Sequence, residues 1–237
     1  MPLFAKVDSI QNANQLATVM GWLQKSLCNT AFRFYANPDP KNSTKTIAFI
    51  DQYGGYNLPD RNYYINEGST SKQIVSNYKN HIIKMMVLAG KSKTIAIEIA
   101  ESSIKLETIF AINAMTEEEF RNPELTYHKM NVGQLQKIAP FFNWTNYFNA
   151  LGLESTNEIN VIPPTFFHYF SEAIERNSLN DWKNYLTWSI VNASANYLSQ
   201  DFVNEKFDFF EKQLSGTSNL KSKKERAIDD VQNQLGW

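Results

Sequence analysis

Residues 69–113, STSKQIVSNYKNHIIKMMVLAGKSKTIAIEIAESSIKLETIFAIN, decide how the rest of the chain is read. Ile74, Tyr78, Ile82, Met85 and Ala89 recur at three- and four-residue intervals, which puts them on one face of a helix. Ser69 or Ser71 is placed to cap its start, and Gly90 suits the left-handed position past its end. Ser92 opens a second helix with Ile95, Ile99, Leu106, Ile109 and Phe110 on one side. Two long helices joined by a short turn predict a helical domain.

The same signals continue outward. Downstream, Thr116 with Glu119 forms a capping box, because each side chain satisfies the other's free backbone N–H. Asn131 and Asn143 cap short helices ending near Pro140 and Gly152, residues 159–162 are extended, and Pro163 and Pro164 suit a first helical turn. The helix after them carries Phe166, Phe167, Phe170, Ala173 and Ile174 toward the core. Ser178 with Asp181, Ser199, and Ser218 or Ser222 begin three more helices, ending near Tyr197, Gly216 and Gly236. Upstream, Leu16, Val19, Met20, Leu23 and Leu27 form an amphipathic helix capped by Asn12 or Asn14. Between them the period changes to two: Phe32 and Phe34 alternate with Arg33 and Tyr35, PDPKNST intervenes, and residues 46–50 are again strand-like. The expected fold is mainly α, a multi-helix domain with one β-hairpin near the N-terminus and a long polar turn in that hairpin. No linker or repeat divides the sequence, so residues 1–237 are expected to form a single helical domain.

Composition narrows the function classes. With 43% hydrophobic and 20% charged residues, the chain has the balance of a folded protein and not of a disordered one. Its 23 Lys and Arg against 24 Asp and Glu give a net charge of −1, which provides no bulk field for nucleic acid or anionic lipid. The longest apolar run, around Ile82 to Ala89, is interrupted by Lys84 and far below the ~18 residues of a membrane span. The start, MPLFAKVDSI, has no secretory-signal pattern. Cys28, the one cysteine, excludes an internal disulfide and any cysteine-cluster zinc site, and it reads as a small buried side chain.

Motifs for chemistry are sparse. His81, His128 and His168 are far apart, and only His168 has a carboxylate one turn on, Glu172, an ordinary helix pair in the absence of further ligands. No nucleophile elbow occurs, and Gly54-Gly55 lacks either phosphate-loop fingerprint. Sequons at Asn42, Asn143 and Asn192 are what an asparagine-rich chain produces by chance. The basic run Lys221–Arg226 reads as a solvated helix start, and Trp22, Trp144, Trp182 and Trp188 read as core. The best functional candidate is the loop from Asp51 to Tyr64, DQYGGYNLPDRNYY, with Asp60, Arg61, Tyr63 and Tyr64 as candidate residues. The competing reading is a structural loop in which Arg61 pairs with carboxylates or backbone carbonyls and the tyrosines pack.

Within that loop, GGYNLPDRNYY (residues 54–64) resembles the G-L-G-L-P-x-R-D-Y-Y segment of the neprilysin and endothelin-converting-enzyme family of zinc metalloendopeptidases, bacterial oligopeptidases included. Residues 32–52, FRFYANPDPKNSTKTIAFIDQ, resemble the family's aromatic strand, N/D-P-D-x-K turn and returning strand. Residues 122–153 resemble its R-x-P-x-x-T-Y-x-K-M, L-x-x-L-x-P and W-x-x-Y/F-x-x-x-L series, and residues 181–217 another stretch nearly residue by residue. Tyr56 and Asn57 stand where Leu and Gly are usual, Asn62 replaces Asp, and Lys224 stands where Trp is typical while Arg226 is kept.

The resemblance implies an internal piece of the family's N-terminal helical domain. The H-E-x-x-H helix that holds zinc and its E-x-x-x-D partner are absent from this sequence, so it implies no catalytic, cofactor-binding or metal residue here; the loop residues would line the cavity or an interdomain face. For the parent it implies zinc-assisted hydrolysis of oligopeptides, with two histidines and a glutamate on the metal and the motif glutamate as general base. The helical domain would close over its catalytic partner and exclude folded proteins. The parent is expected to be exported or membrane-anchored, and the apolar stripe Ala227, Ile228, Val231 and Leu235 just before Trp237 is expected in a piece of a longer protein. Two alternatives stand beside this: a stand-alone helical peptide- or partner-binding module without catalysis, and an unrelated helical protein with a small-molecule site near Arg61.

Overall fold

Helix starts lie where the polar caps require. Asn12, Ser92, Asn131 and Asn143 each accept a backbone N–H three residues on, and Thr116 with Glu119 closes a complete capping box. The computed structural model describes residues 2–26, 28 and 30–235, and of residues 233–235 only the backbone. Its elements in chain order are α1 (Pro2–Asp8), α2 (Ala13–Lys25), β1 (Arg33–Asp39), β2 (Asn42–Asp51), α3 (Asn62–Ile65), α4 (Ser69–Leu88), α5 (Lys93–Asn113), α6 (Glu117–Phe120), β3 (Lys129–Met130), α7 (Val132–Ile138), α8 (Trp144–Leu151), β4 (Ile159–Ile162), α9 (Pro164–Arg176), α10 (Leu179–Ser194), α11 (Gln200–Lys206) and α12 (Lys223–Leu235). The fold is mainly α, as the sequence predicts. The elements form two compact units, residues 1–194 and 195–237.

In the first unit the hairpin is longer and its turn tighter than expected. β1 and β2 absorb most of the PDPKNST segment, leaving Pro40 and Lys41 at the turn. Two causes are visible. The sheet order is β1-β2-β4-β3, so β1 is an edge strand, where Pro38 forfeits no ladder bond that matters. Asp39 is buried, accepts the Lys41 N–H at 2.9 Å and the Tyr127 hydroxyl at 3.0 Å, and pairs with Lys129 at 2.9 Å. The hairpin also belongs to a larger sheet: β4 runs parallel to β2 (Ala48 opposite Ile159, Asp51 opposite Ile162), and β3 pairs antiparallel with β4.

The core beneath the sheet is aromatic. Phe32, fully buried just before β1, has the rings of Phe142, Trp144, Tyr147, Phe167 and Phe170 around it at centroid distances of 5.3–6.1 Å. Phe110 of α5 continues the cluster to Phe166, Trp182 and Tyr185. α2 crosses α8 at Gly21, where a Cβ would lie 2.5 Å from the Tyr147 carbonyl oxygen; only glycine permits that approach.

Some expectations need correction. Gly68 occupies the N-cap of α4 in place of Ser69 or Ser71, and its first turn has no side-chain cap. Ile95 is exposed, since in the first turn of α5 it is Ala96, one residue on and fully buried, that faces the core. Trp22 is half-buried beneath the Lys6 ammonium, while Trp144, Trp182 and Trp188 are core. Leu27, Gly236 and Trp237 lie outside the described residues, as does the side chain of Leu235. In the second unit α11 widens into a π-type stretch, Phe207–Leu214, that ends at Gly216 with φ of +71°. α12 begins at a Ser222–Glu225 capping pair and leaves Ile228 and Val231 exposed.

Candidate functional site

The loop that follows β2 is tied down along most of its length. Asp51, at the end of the strand, accepts Arg33 Nε at 3.1 Å and Nη2 at 2.5 Å, and its other oxygen accepts the Tyr53 N–H at 3.0 Å. Burial pushes its carboxyl up from the ordinary value, and the Arg33 bonds oppose that. Gln52 exchanges two hydrogen bonds with the backbone of Met115, at 3.0 and 2.7 Å. Gly55 lies so close to the core that a Cβ would sit 2.7 Å from the Ala31 carbonyl oxygen and 3.2 Å from Phe110 Cβ. The Tyr185 hydroxyl donates to the Gly54 and Gly55 carbonyl groups.

The middle of the loop closes on a residue the sequence reading did not single out. Glu107, fully buried on α5, accepts Asn57 Nδ2 at 2.7 Å and the Tyr78 hydroxyl at 3.0 Å on one oxygen. Its other oxygen accepts the Tyr64 hydroxyl at 2.5 Å and the Asn57 N–H at 3.3 Å. Behind these, Trp188 Nε1 donates to the Tyr78 hydroxyl at 2.9 Å, the Leu58 N–H to the Tyr64 hydroxyl at 3.1 Å, and Asn192 Nδ2 to Asn57 Oδ1 at 2.7 Å. Burial raises the Glu107 carboxyl from 4.5 to about 7, against the opposing pull of its donors. Burial and the neighbouring carboxylate push Tyr64 and Tyr78 well above 10, so both stay neutral donors. The available signal was an acid between Ser103, Leu106 and Phe110 on the inner face of a helix, since such residues are rarely buried unless paired.

The four candidate residues do not converge. Tyr64 sends its hydroxyl inward to Glu107. Arg61 turns to the end of α5, where Nε donates to the Ala111 carbonyl at 3.0 Å and Nη2 to that of Ile112 at 3.1 Å, a cation on the negative end of a helix. Asp60 is exposed and accepts the Asn62 N–H at 2.8 Å. Tyr63 is half-buried beside it. Asn57, which departs from the glycine usual at that place, contributes a side-chain donor to the network.

Metal chemistry finds no donor set among the described residues: no group of three or more His, Cys, Asp or Glu could hold an ion. Glu172 is divided between His168 at 3.5 Å and Arg176 at 2.9 Å, and His168 Nδ1 faces the Ile138 carbonyl. The residues present do not fit a zinc site. Cys28 is buried, and burial drives its thiol up to about 12, far from the range of a nucleophile. A cavity of about 730 Å³ lies within the second unit, lined by residues among 196–230; there Lys221 pairs with Asp229, the Tyr197 hydroxyl donates to Asp230 and Arg226 Nη1 donates to the Lys221 carbonyl.

The geometry defines a class: a mainly helical chain whose 51–64 loop is bound into the core, with no group of three or more His, Cys, Asp or Glu able to hold a metal among its described residues. Comparison with known proteins places that class. Residues 1–237 match the model for the N-terminal region of peptidase family M13, and the chain belongs to that family. It is 27% identical over 211 residues to endothelin-converting enzyme 1 of Cavia porcellus, covering 87% of this chain and 28% of that protein. Neprilysin-3 of Drosophila melanogaster is 30% identical over 220 residues, covering 88% and 28%. Among solved structures, the open state of the Mycobacterium tuberculosis zinc metalloprotease Zmp1 superposes with a TM-score of 0.92 at 27% identity, covering 99% of this chain and 36% of that one. The chain therefore spans about a third or less of the length of the relatives it matches. Among the described residues no helix is long and apolar enough to cross a membrane.

Proposed function

We propose that this chain is the non-catalytic helical domain of an M13 zinc metallopeptidase that hydrolyses oligopeptides, and that it encloses the substrate cavity and limits substrate size. One observation carries the reading: 99% of the chain superposes on about a third of a zinc metalloprotease, while its described residues present no zinc ligand set. Its partner is then the catalytic domain of the same parent, which would hold the zinc and supply Lewis-acid chemistry to the hydrolysis. This chain contributes enclosure, which keeps bulk water and folded proteins from the reacting bond. Residues 1–237 act in this as one domain, with Asp60, Arg61, Tyr63 and Tyr64 near the cavity or interdomain face, and the parent works outside the cytoplasm.

A stand-alone binding module is the second reading. The solvent-exposed apolar residues of α12, Ile228 and Val231, favour the first, because a domain with a partner leaves such a stripe when described without it. The test compares this chain with the parent that contains the catalytic half, using a short quenched-fluorescent peptide and a folded protein as substrates. Zinc-dependent cleavage of the peptide by the parent only, with the folded protein spared until this segment is removed, is the expected result. Cleavage by the chain alone, or a size limit unchanged by its removal, overturns the proposal.

A further inference from the structure

The Gln52 N–H donates to the Ile162 carbonyl at 3.1 Å, and the Val161 N–H to that of His128 at 3.3 Å. Backbone groups alternate in direction along a strand, so Ile50 and Ala48 also turn to β4, while Asp51, Phe49 and Ile47 turn to β1. Their cross-strand partners Arg33, Tyr35 and Asn37 therefore bond inward to β2, and Phe34, Ala36 and Pro38 carry their backbone groups on the outer side, the edge of the sheet. Among the described residues nothing hydrogen-bonds to those outward groups. Ala36, Asn37 and Pro38 are exposed, and the Phe34 ring rests on Phe148 of α8 at 6.4 Å between centroids. Edge strands are commonly blunted by a proline or a bulge; here both stand at the far end, since Pro38 has no N–H and the register shifts after it. Residues 34–38 thus present two outward donors and three outward acceptors. The acids nearest the edge, Asp39 and Asp51, are buried and held by Lys129 and Arg33, so the exposed charges of β1 and its turn are Arg33 and Lys41. The Arg33 guanidinium is fixed at the start of the strand, 4.8 Å from the Tyr35 ring centroid and 5.0 Å from that of Tyr53.

We propose that the outer edge of β1 binds an extended, acidic peptide, which adds itself to the sheet as an antiparallel fifth strand. Numbered along six residues, the first, third and fifth of the peptide stand opposite Pro38, Ala36 and Phe34 and exchange the backbone bonds. The second, fourth and sixth lie opposite Asn37, Tyr35 and Arg33, on the face where the guanidinium sits. A carboxylate at the sixth position then meets Arg33, and the small Ala36 leaves room for a branched side chain at the third. A second copy of this chain fits less well. Paired about Ala36, each Pro38 would stand opposite the other chain's Phe34, and with no N–H to give it would strand the Phe34 carbonyl. A peptide free of proline satisfies all five outward groups. The inference goes beyond the role proposed for the domain within its parent and does not rest on it.

Fluorescence anisotropy tests it, using the chain and a fluorescein-labelled, end-blocked hexapeptide with valine third and fifth, tyrosine fourth, glutamate sixth and threonine elsewhere. Saturable binding is expected, with amide exchange slowed at Phe34 and Ala36 and unchanged at Tyr35, whose N–H already bonds to β2. N-methylation of the third peptide residue removes a donor aimed at β1 and should weaken binding at least about tenfold; N-methylation of the fourth, aimed away, should leave it within about twofold. Ala36→Pro, at an edge where proline is tolerated, should bring the same loss with unchanged circular dichroism, and glutamine in place of the peptide's glutamate a loss of up to about fivefold. No saturable binding, equal sensitivity to the two N-methyl positions, or protection only elsewhere on the chain overturns the proposal. Protection of Phe34 and Ala36 that grows with chain concentration in the absence of peptide assigns the edge to a second copy and overturns it as well.

Discussion

The most discriminating perturbation of the loop is Glu107→Gln, read as a function of pH. In the native chain the buried carboxyl is raised from 4.5 to about 7. A raised acid means that the folded state holds its proton more tightly than the unfolded state. Stability is then greatest below pH 4.5 and falls as pH rises through about 7. At 1.36 kcal/mol per pK unit, the loss between pH 5 and pH 8 is on the order of 2–3 kcal/mol. Glutamine cannot titrate, and the other groups of the chain titrate alike in both proteins, so subtraction isolates this term. Glutamine also replaces one acceptor oxygen with an NH2 that faces two donors, whichever way the amide turns: Asn57 Nδ2 and Tyr78 on one side, Tyr64 and the Asn57 N–H on the other. Each stranded donor costs about 1–3 kcal/mol. E107Q should therefore be clearly less stable than the native chain at pH 5, and the gap should narrow by roughly 2–3 kcal/mol by pH 8. Urea titrations followed by far-ultraviolet circular dichroism at half-unit steps measure both. A gap that stays constant to within about 0.5 kcal/mol across the range would refute the reasoning, because Glu107 would then carry the same proton occupancy folded and unfolded.

Three further outcomes follow from the same geometry. Gly55→Ala places a Cβ 2.7 Å from a carbonyl oxygen, a contact backbone cannot relieve without moving the loop, and should lower stability by about 2 kcal/mol or more in thermal unfolding. Phe32→Ala removes the ring around which five others pack and should cost about 3–5 kcal/mol in denaturant titrations. Arg61→Ala frees the Ala111 and Ile112 carbonyl groups at the end of α5 and should cost about 1–3 kcal/mol; Arg61→Lys, with one compact ammonium in place of a fork, should recover only part of it. Faster amide exchange confined to the last turn of α5 in both Arg61 variants would distinguish this from a general loss of packing.

Helices were legible because their signals are local. Caps such as Thr116 with Glu119 and stripes such as Phe166, Phe167 and Phe170 need only neighbours within a turn, and both are where the sequence places them. What escaped depends on partners distant in sequence. The tight turn at Pro40-Lys41 rests on Lys129 and Tyr127, some ninety residues on, and the sheet needs β4 to arrive beside β2 after six helices. Ile95 repeats with its helix, but at that turn the buried position is Ala96, so periodicity overstates the burial of Ile95. The loop was chosen for its composition, and the structural alternative weighed for Arg61, backbone carbonyl partners, is the contact found. Glu107 was not legible because a lone acid in a helix is ordinarily solvated; only the arrival of Asn57, Tyr64 and Tyr78 makes it a centre.

These anchors divide the loop into two sets of side chains with different freedom. Asp51 is spent on Arg33, Gln52 on Met115, Asn57 and Tyr64 on Glu107, and Arg61 on the end of α5, so the strap from β2 to α3 ties the sheet to α4, α5 and α10 through groups already satisfied. A satisfied buried donor gives up its bond to a substrate only at the cost of leaving its partner stranded. Were this loop to face the cavity of the parent, the candidates free to meet a peptide would be Asp60 and Tyr63, whose side chains are not drawn into the Glu107 network, and whatever edge of the Arg61 guanidinium its two carbonyls leave uncovered. If the loop faces the cavity of the parent, Asp60→Asn and Tyr63→Phe should change KM for charged or aromatic peptides while leaving the urea midpoint of this chain within about 0.5 kcal/mol of native. Glu107→Gln should instead move the midpoint first. A variant set in which Asp60 and Tyr63 shift stability as much as Glu107 would show that the outer rim is as structural as the inner one, and would remove the loop from consideration as a contact for substrate.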